Sequence, residues 1–450
     1  MNLQRTIFPH VALSFSGLIL MLGAFASAAE RSPNVIVFYV DDMGWAGVGC
    51  YDCDFIDTPE IDRLAADGVR FTNAYSPAPN CSPSRASMLT GLYPPRHGIT
   101  QYLPGNKRAD SKRPVIQADL PPGLDTQFTT LAEVFQEAGY ATVSMGKWHL
   151  GAEEFYPEQH GFDLNVGGTD AGHHSRFYPP YLADPETLPG EPDEHITHCL
   201  QRNALDFIDQ HADEPFFFYM PFYSVHGPWG GNEELTAKYA ERFPGDKTRI
   251  AYSAMTEGVD QFVGAVRERL EELEIADDTI LVFTSDNGGA YAPTCQGLRK
   301  QKGYIFEGGI RVPCIFSGPG IEANVVSDVP TSHIDFMPTL LAMAQLDSPA
   351  CDGVSLQPIL SGEGDIPTRD LYWHYPHYAN SGGKPGSVIR SGDYKLIHWY
   401  EDDSWELYNL KDDLAETTDL SSADPERTVA MREKLEVWLD ETGAVIPERR

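Results

Sequence analysis

Apolar side chains run unbroken from Val35 to Val40, the pattern of a strand covered on both faces, and the run stops at two acids, Asp41 and Asp42. The same signature recurs along the chain. Pro215 to Met220 is rich in Phe and leads through a loop to His226, and Thr279 to Ser285 runs straight into Asp286-Asn287. Tyr140 to Met145 ends in Gly146-Lys147-Trp148-His149. Between these runs the pattern turns helical. Thr58 as N-cap, Pro59 at the first position and Gly68 as a stop predict one helix, and Thr130 to Ala138, closed by Gly139, predicts another. An amphipathic stretch from Arg249 to Leu273 predicts a long third helix. Strands alternating with helices predict an α/β fold with a large, mainly parallel sheet sandwiched by helices. Polar residues just past strand ends stand where such sheets place their sites.

After about Ser361 the pattern changes. Asp370 to Tyr378, Ser387 to Ile389, Tyr394 to Trp399 and Trp405 to Asn409 read as short strands separated by Gly and Asp turns, with a helix from Pro425 to Thr442 behind them. This divides the chain into a large domain over residues 31–365 and a smaller C-terminal α+β subdomain over residues 366–450. Pro, Gly and Asp cluster from Pro104 to Asp125, which predicts a long surface loop. Residues 1–28 read as a secretory signal, with Arg5 ahead of a mostly apolar Val11 to Leu22 and an A-x-A site at Ala26-Ser27-Ala28. Ser14, Ser16 and Gly17 break that apolar stretch, which is short for a membrane span. The expectation is export to the periplasm or beyond, without a membrane anchor.

Composition narrows the chemistry. A net charge of −33 excludes nucleic acid as a partner held by general electrostatics. An anionic substrate would have to be met by cations gathered in a cleft, since salt screens the global field beyond ~10 Å. Of the seven cysteines, Cys50-x-x-Cys53 has no second pair and no nearby His pair, so a local bridge or two free thiols is expected there in place of a zinc site.

Cys81-Ser82-Pro83-Ser84-Arg85 continues as Ala86-Ser87-Met88-Leu89-Thr90-Gly91. It sets a thiol at the start of a helical run with an Arg four residues on, where backbone N–H groups and a guanidinium can hold an anion. Asp41, Asp42, Asp286 and Asn287 bring four oxygen-bearing side chains to one sheet edge, a donor set that favours Ca²⁺ or Mg²⁺ over zinc. Lys147 and His149 add a fixed cation and a titratable base.

The string Cys81-x-Pro83-Ser84-Arg85 with Leu89-Thr90-Gly91, and the strand ending in Lys147-Trp148-His149, resemble the two signature motifs of the formylglycine-dependent sulfatases of the alkaline phosphatase superfamily. The likeness is to secreted bacterial arylsulfatase-like and polysaccharide sulfatases, and it spans Asn34 to at least Leu410. It implies that Cys81 is oxidised to formylglycine by a maturation enzyme and that Asp41, Asp42, Asp286, Asn287 and the modified Cys81 bind Ca²⁺. It also implies that Arg85, Lys147 and Lys302 clamp the sulfate. In such a site hydrated residue 81 attacks sulfur, His226 with Lys302 helps the alcohol depart, and His149 takes the proton that releases sulfate. Lys302 is matched within Leu298-Arg299-Lys300-Gln301-Lys302-Gly303, where Lys300 replaces a usual Gly. Met145 stands where smaller residues are usual, and Cys295-Gln296-Gly297 replaces a usual Asn-x-Pro. The implied substrate is a sulfated saccharide. Candidate contacts are Lys107 and Arg108, then Asp170, His173, His174 and Arg176, then His374 and His377, in segments mixing aromatics, His and cations. Two other readings share parts of this pattern. A phosphatase or phosphodiesterase of the same superfamily would carry Ser or Thr as nucleophile and ligands for two zinc ions. A non-catalytic glycan binder would keep Cys81 unmodified and need no acid and base pair.

Overall fold

A computed structural model of the protein describes residues 32–105, 112–183 and 186–450. The segment read as a secretory signal lies outside these residues. Ser32–Arg450 form one compact unit, and the boundary expected at 365/366 falls inside it.

The central sheet has eight strands: β1 (Asn34–Val40), β2 (Gly68–Phe71), β3 (Ala141–Met145), β4 (Leu164–Val166), β5 (Phe216–Pro221), β6 (Thr279–Ser285), β7 (Cys314–Ser317) and β8 (Val325–Ser327). Their spatial order is β8-β2-β7-β6-β1-β5-β3-β4. All pairings are parallel except the two made by β7, so the sheet is mainly parallel as its alternating elements predict.

β1 sits near the middle and is fully buried, its side chains alternating between two cores. Ile36, Phe38 and Val40 face one layer, with Ile61 and Leu64 of α1 (Pro59–Ala66) and a row from Cys199 to Ile208 of a helix over Ile196–His211. The same layer takes Val259, Phe262 and Val266 of the long helix Lys247–Glu272. Val35, Val37 and Tyr39 face the opposite layer, with Ala86, Met88 and Leu89 of α2 (Cys81–Thr90) and Leu131, Ala132 and Phe135 of α3 (Leu131–Glu137). Each such aliphatic or aromatic side chain contributes ~1.5–3 kcal/mol by leaving water.

The helix ends differ in how they are made. Thr130 forms a full capping box with Glu133 ahead of α3, and Gly139 then takes φ +86° to turn the chain into β3. Thr58 precedes α1 but does not cap it, because its hydroxyl accepts the Gly49 N–H at 2.8 Å.

The C-terminal part is a four-stranded antiparallel sheet, β9 (Asp370–Tyr375), β10 (Gly386–Ser391), β11 (Tyr394–Trp399) and β12 (Ser404–Asn409). One face, with Ile389, Leu396 and Leu407, takes Met431, Leu435 and Trp438 of the helix Pro425–Glu441. The other face, with Trp373, Val388 and Ile397, packs on Tyr75, Ile305, Phe306 and Ile310. Buried ions reinforce that second contact. Lys395 on β11 lies 3.0 Å from Glu307 and 2.8 Å from Glu416, all three without exposure. The antiparallel sheet thus grips the 305–310 segment just downstream of Lys302. No disulfide joins any of the seven cysteines, Cys50 and Cys53 included. No helix among the described residues is long and apolar enough to cross a membrane.

Candidate active site

Four parallel strands end at one edge and deliver their next residues together. Asp41 and Asp42 follow β1, Lys147 and His149 follow β3, His226 comes after β5, and Asp286 and Asn287 follow β6. α2 begins at Cys81 on the same side, after Asn80 as N-cap, and places the Cys81 sulfur 3.6 Å from Asp41 Oδ1. Lys302 arrives from the segment ahead of 305–310, with its Nζ 3.4 Å from the same sulfur.

Three carboxylates and three cations interlock beneath that sulfur. Lys147 Nζ donates to Asp41 Oδ2 at 2.6 Å, and Lys302 Nζ donates to Asp42 at 2.6–2.7 Å. Arg85 forks onto Asp286 Oδ2 through Nε at 3.0 Å and Nη2 at 2.8 Å, and its Nη1 donates to the Lys147 carbonyl at 2.7 Å. Arg85 and Lys147 have no solvent exposure, so they orient the carboxylates from behind. Asn287 Nδ2 donates to Asp42 Oδ1 at 2.8 Å, whereas its buried Oδ1 has no hydrogen-bond partner. Ligand atoms of Asp41, Asp42, Asp286 and Cys81 all lie within 4.8 Å of one another. An orphaned amide oxygen beside three clustered carboxylates fits a hard divalent cation.

Burial sets the protonation states. It pushes the Cys81 thiol up to about 12 against the opposing pull of Lys147 and Lys302, so the unmodified side chain is un-ionised at neutral pH. Burial also raises Asp42, but Lys302 and His226 outweigh it and hold that carboxyl well below the usual range. For Asp41, burial pushes the carboxyl upward against the opposing pull of Lys147. His226 is depressed to about 3 by burial and the Lys302 charge, and its Nε2 lies 3.6 Å from Asp42 Oδ2. His149 is held far below its ordinary value, first by burial and then by Lys147. Its Nε2 lies 2.7 Å from the Leu103 carbonyl oxygen. A carbonyl only accepts, so Nε2 carries the proton and the buried, unpartnered Nδ1 carries the lone pair. Asp42 and His149 both take left-handed backbone conformations, φ +64° and +61°, which aim their side chains at a cost of ~1–2 kcal/mol each.

Above the cluster opens a cavity of about 430 Å³. Cys81, His149, His226 and Lys302 form its floor, and Tyr102, His173, Gln301, Asn380 and Ser381 are among the residues of its walls. Sequence reasoning missed Tyr102, Gln301, Asn380 and Ser381, which lie beside or, for Gln301, within the segments it named and carry no periodic or motif signal of their own.

The saccharide candidates divide. His173 lines the cavity, its ring 6.0 Å from that of His226 and nearly parallel to it. His174 is buried against Phe177 and Tyr223. Asp170 and Arg176 are exposed and line no part of the cavity. Lys107 and Arg108 lie outside the described residues. The expectation for His374 and His377 is corrected. Both are 2% exposed and bonded internally, His374 to Ser387 Oγ at 2.7 Å and the Val445 carbonyl at 3.1 Å, His377 to Thr100 Oγ1 at 2.7 Å. Strand alternation and packing turn them into the body of the C-terminal unit, and the cavity takes Ala379, Asn380 and Ser381 from the turn beyond.

Comparison with known proteins agrees with this geometry. Residues 33–346 match the sulfatase family, and residues 299–442 match the C-terminal family of N-sulphoglucosamine sulphohydrolase. A sulfatase of Formosa agariphila is 33% identical, covering 92% of this chain and 90% of that protein. Human N-acetylgalactosamine-6-sulfatase is 32% identical, covering 86% of this chain and 75% of its own. The crystal structure of Ps i-CgsB in complex with k-i-k-neocarrahexaose superposes with a TM-score of 0.78 at 28% identity, covering 91% of this chain and 93% of that one. With Cys81, the carboxylate cluster and the two histidines gathered at one sheet edge, the chain belongs to the sulfatase family and is a sulfuric ester hydrolase.

Proposed function

We propose that the protein hydrolyses sulfate esters of a sulfated carbohydrate, using formylglycine derived from Cys81 and a Ca²⁺ ion held by Asp41, Asp42, Asp286, Asn287 and residue 81. The observation that carries this is the Cys81 sulfur at the cavity floor, 3.4 Å from Lys302 Nζ and 3.6 Å from Asp41, in a setting that leaves the thiol itself un-ionised. Saccharide is supported by the relatives named above and by walls that mix Tyr102 with neutral polar Gln301, Asn380 and Ser381. Export, read from residues 1–28, suits a polymer that cannot enter a cell.

Hydrated formylglycine supplies two hydroxyls on one carbon: one attacks sulfur, and the other, on losing its proton, expels sulfate and restores the aldehyde. A Ca²⁺ ion held by Asp41, Asp42, Asp286 and Asn287 would supply positive charge to stabilise the reacting sulfate. The remaining work falls to the chain. Lys302, held fully charged, meets the sulfate from the cavity side. His226 is neutral at rest, and an anionic ester in the cavity opposes the Lys302 field and raises the affinity of this imidazole for the proton that the departing alcohol needs. His149, with its Nδ1 lone pair free, is the base for the hydroxyl proton.

The metal assignment has a direct check. Chelation of the purified enzyme is expected to lower both activity and Tm, and added Ca²⁺ to restore both, with ~3 kcal/mol of stabilisation at a hundredfold excess over Kd. Stoichiometric zinc in active protein, or restoration by Zn²⁺ alone, would instead support the phosphatase reading.

A further inference from the structure

Lys300 stands apart from the machinery described above. Its backbone is left-handed, φ +65°, a conformation that glycine adopts freely and a lysine only under strain. Its side chain is exposed, its ammonium lies 5.4 Å from the centre of the Tyr304 ring, and among the described residues no carboxylate lies within ion-pair distance of it. It borders a second cavity of about 310 Å³, whose lining includes Arg299, Tyr304, Lys384 and Trp399. The neighbouring cations are already committed. Lys384 pairs with Glu401 at 2.8 Å, and Arg299 donates to Tyr408 Oη and the Glu416 carbonyl at 2.9 Å each. Arg299 also pairs with Glu406 at 3.8 Å, and Asp402 lines the cavity too, so Lys300 is the one cation of this lining without an ion-pair partner among the described residues, facing a lining of mixed charge.

The two cavities share a partition. Gln301 and Lys302 line the catalytic side, while Lys300 and Tyr304 line the other. Likewise Ser381 lines the first and Gly382 the second. The partition is braced internally, with Tyr304 Oη donating to the Ser381 carbonyl at 2.6 Å and Ser381 Oγ donating to the Lys302 carbonyl at 2.8 Å. Only Gln301 separates Lys300 from Lys302, so their backbones are no more than ~7 Å apart. A chain seated with one sulfate ester over Cys81 would have only this partition to cross for a neighbouring unit to meet the second cavity. There a Tyr face suits a sugar ring and an unpaired ammonium suits an oxyanion.

We propose that the cavity bordered by Lys300 and Tyr304 is a second saccharide-binding site, which takes a sulfate group on a neighbouring unit of the glycan being hydrolysed. This rests on the sulfated-carbohydrate reading above. The strained Lys300 is then a specificity residue for multiply sulfated chains, with no part in the chemical step.

Lys300→Gly tests it, because glycine suits the local backbone and the fold is preserved. KM for a multiply sulfated oligosaccharide is expected to rise about five- to tenfold with kcat unchanged, while an aryl sulfate and a singly sulfated oligosaccharide change by less than about twofold. An oligosaccharide carrying a uronate in place of the second sulfate tells sulfate from any oxyanion: the same rise in KM would widen the ligand to anionic groups in general and overturn the sulfate assignment. Calorimetric binding of the multiply sulfated oligosaccharide to Cys81→Ala protein, with and without Lys300→Gly, reads the second site without turnover and should show the same five- to tenfold loss. An unchanged Kd and KM for the multiply sulfated chain, or equal losses on all substrates, would overturn the proposal. Wild-type turnover of the aryl sulfate reports on the sulfatase reading separately.

Discussion

Replacing Cys81 with alanine is expected to abolish sulfate release, by about 10⁴-fold or more in kcat, while Tm moves by only a few degrees. The asymmetry follows from what the side chain touches. Its sulfur is near Asp41 and Lys302, but those two are held independently, Asp41 by Lys147 and Lys302 by Asp42. Removing one small group at the cavity floor leaves both ion pairs standing, whereas the reacting atom is lost entirely. The check is steady-state turnover of an aryl sulfate alongside thermal unfolding of both proteins. Retained turnover in a folded Cys81→Ala variant would show that another group attacks sulfur.

The second large effect separates the histidines. If His226 protonates the departing alcohol, His226→Ala should slow sugar sulfates by about 10²–10⁴-fold and aryl sulfates far less, because an aryl oxyanion leaves without a proton. His149→Ala should impair both substrates alike, since its base acts after the alcohol has gone. The geometry supports the division. His226 lies 3.6 Å from Asp42, on the side of the floor where Lys302 is also anchored, while His149 is fixed on the Leu103 carbonyl with a buried free nitrogen. Equal losses on both substrate types for His226→Ala would refute the assignment.

Much of this site was legible because parallel strands announce both themselves and their ends. The unbroken apolar run at Val35 to Val40 and the largely apolar stretch Thr279 to Ser285 appear in the structure as β1 and β6, pairing in register so that Asp41 and Asp286 emerge side by side. The helix read over Thr130 to Ala138 and its stop at Gly139 were equally readable, and the structure adds the capping box at Thr130. What was not readable depends on contacts between distant segments. β7 enters the sheet antiparallel, which its short apolar run does not encode. Thr58 looks like a cap, but a loop N–H from Gly49 claims its hydroxyl. His374 and His377 look like sugar-binding residues in an aromatic-rich segment, yet tertiary packing makes them internal hydrogen-bonding groups. The cavity walls come from Tyr102 and Asn380, each a few residues from a segment with a recognisable signal, and from Gln301, which sits inside one, and none of the three carries a signal itself. Lys300 shows the reverse: a departure from the family pattern, visible in sequence, whose consequence is seen only when its left-handed backbone and its cavity are known.

The central claim is the chemical identity of residue 81, and peptide mass spectrometry of catalytically active protein tests it most directly. The account predicts that the peptide spanning Cys81 to Arg85 has lost sulfur and two hydrogens and gained one oxygen, and that it reacts with a hydrazide as an aldehyde does. A fully intact Cys81 thiol in protein that turns over sulfate esters would contradict it.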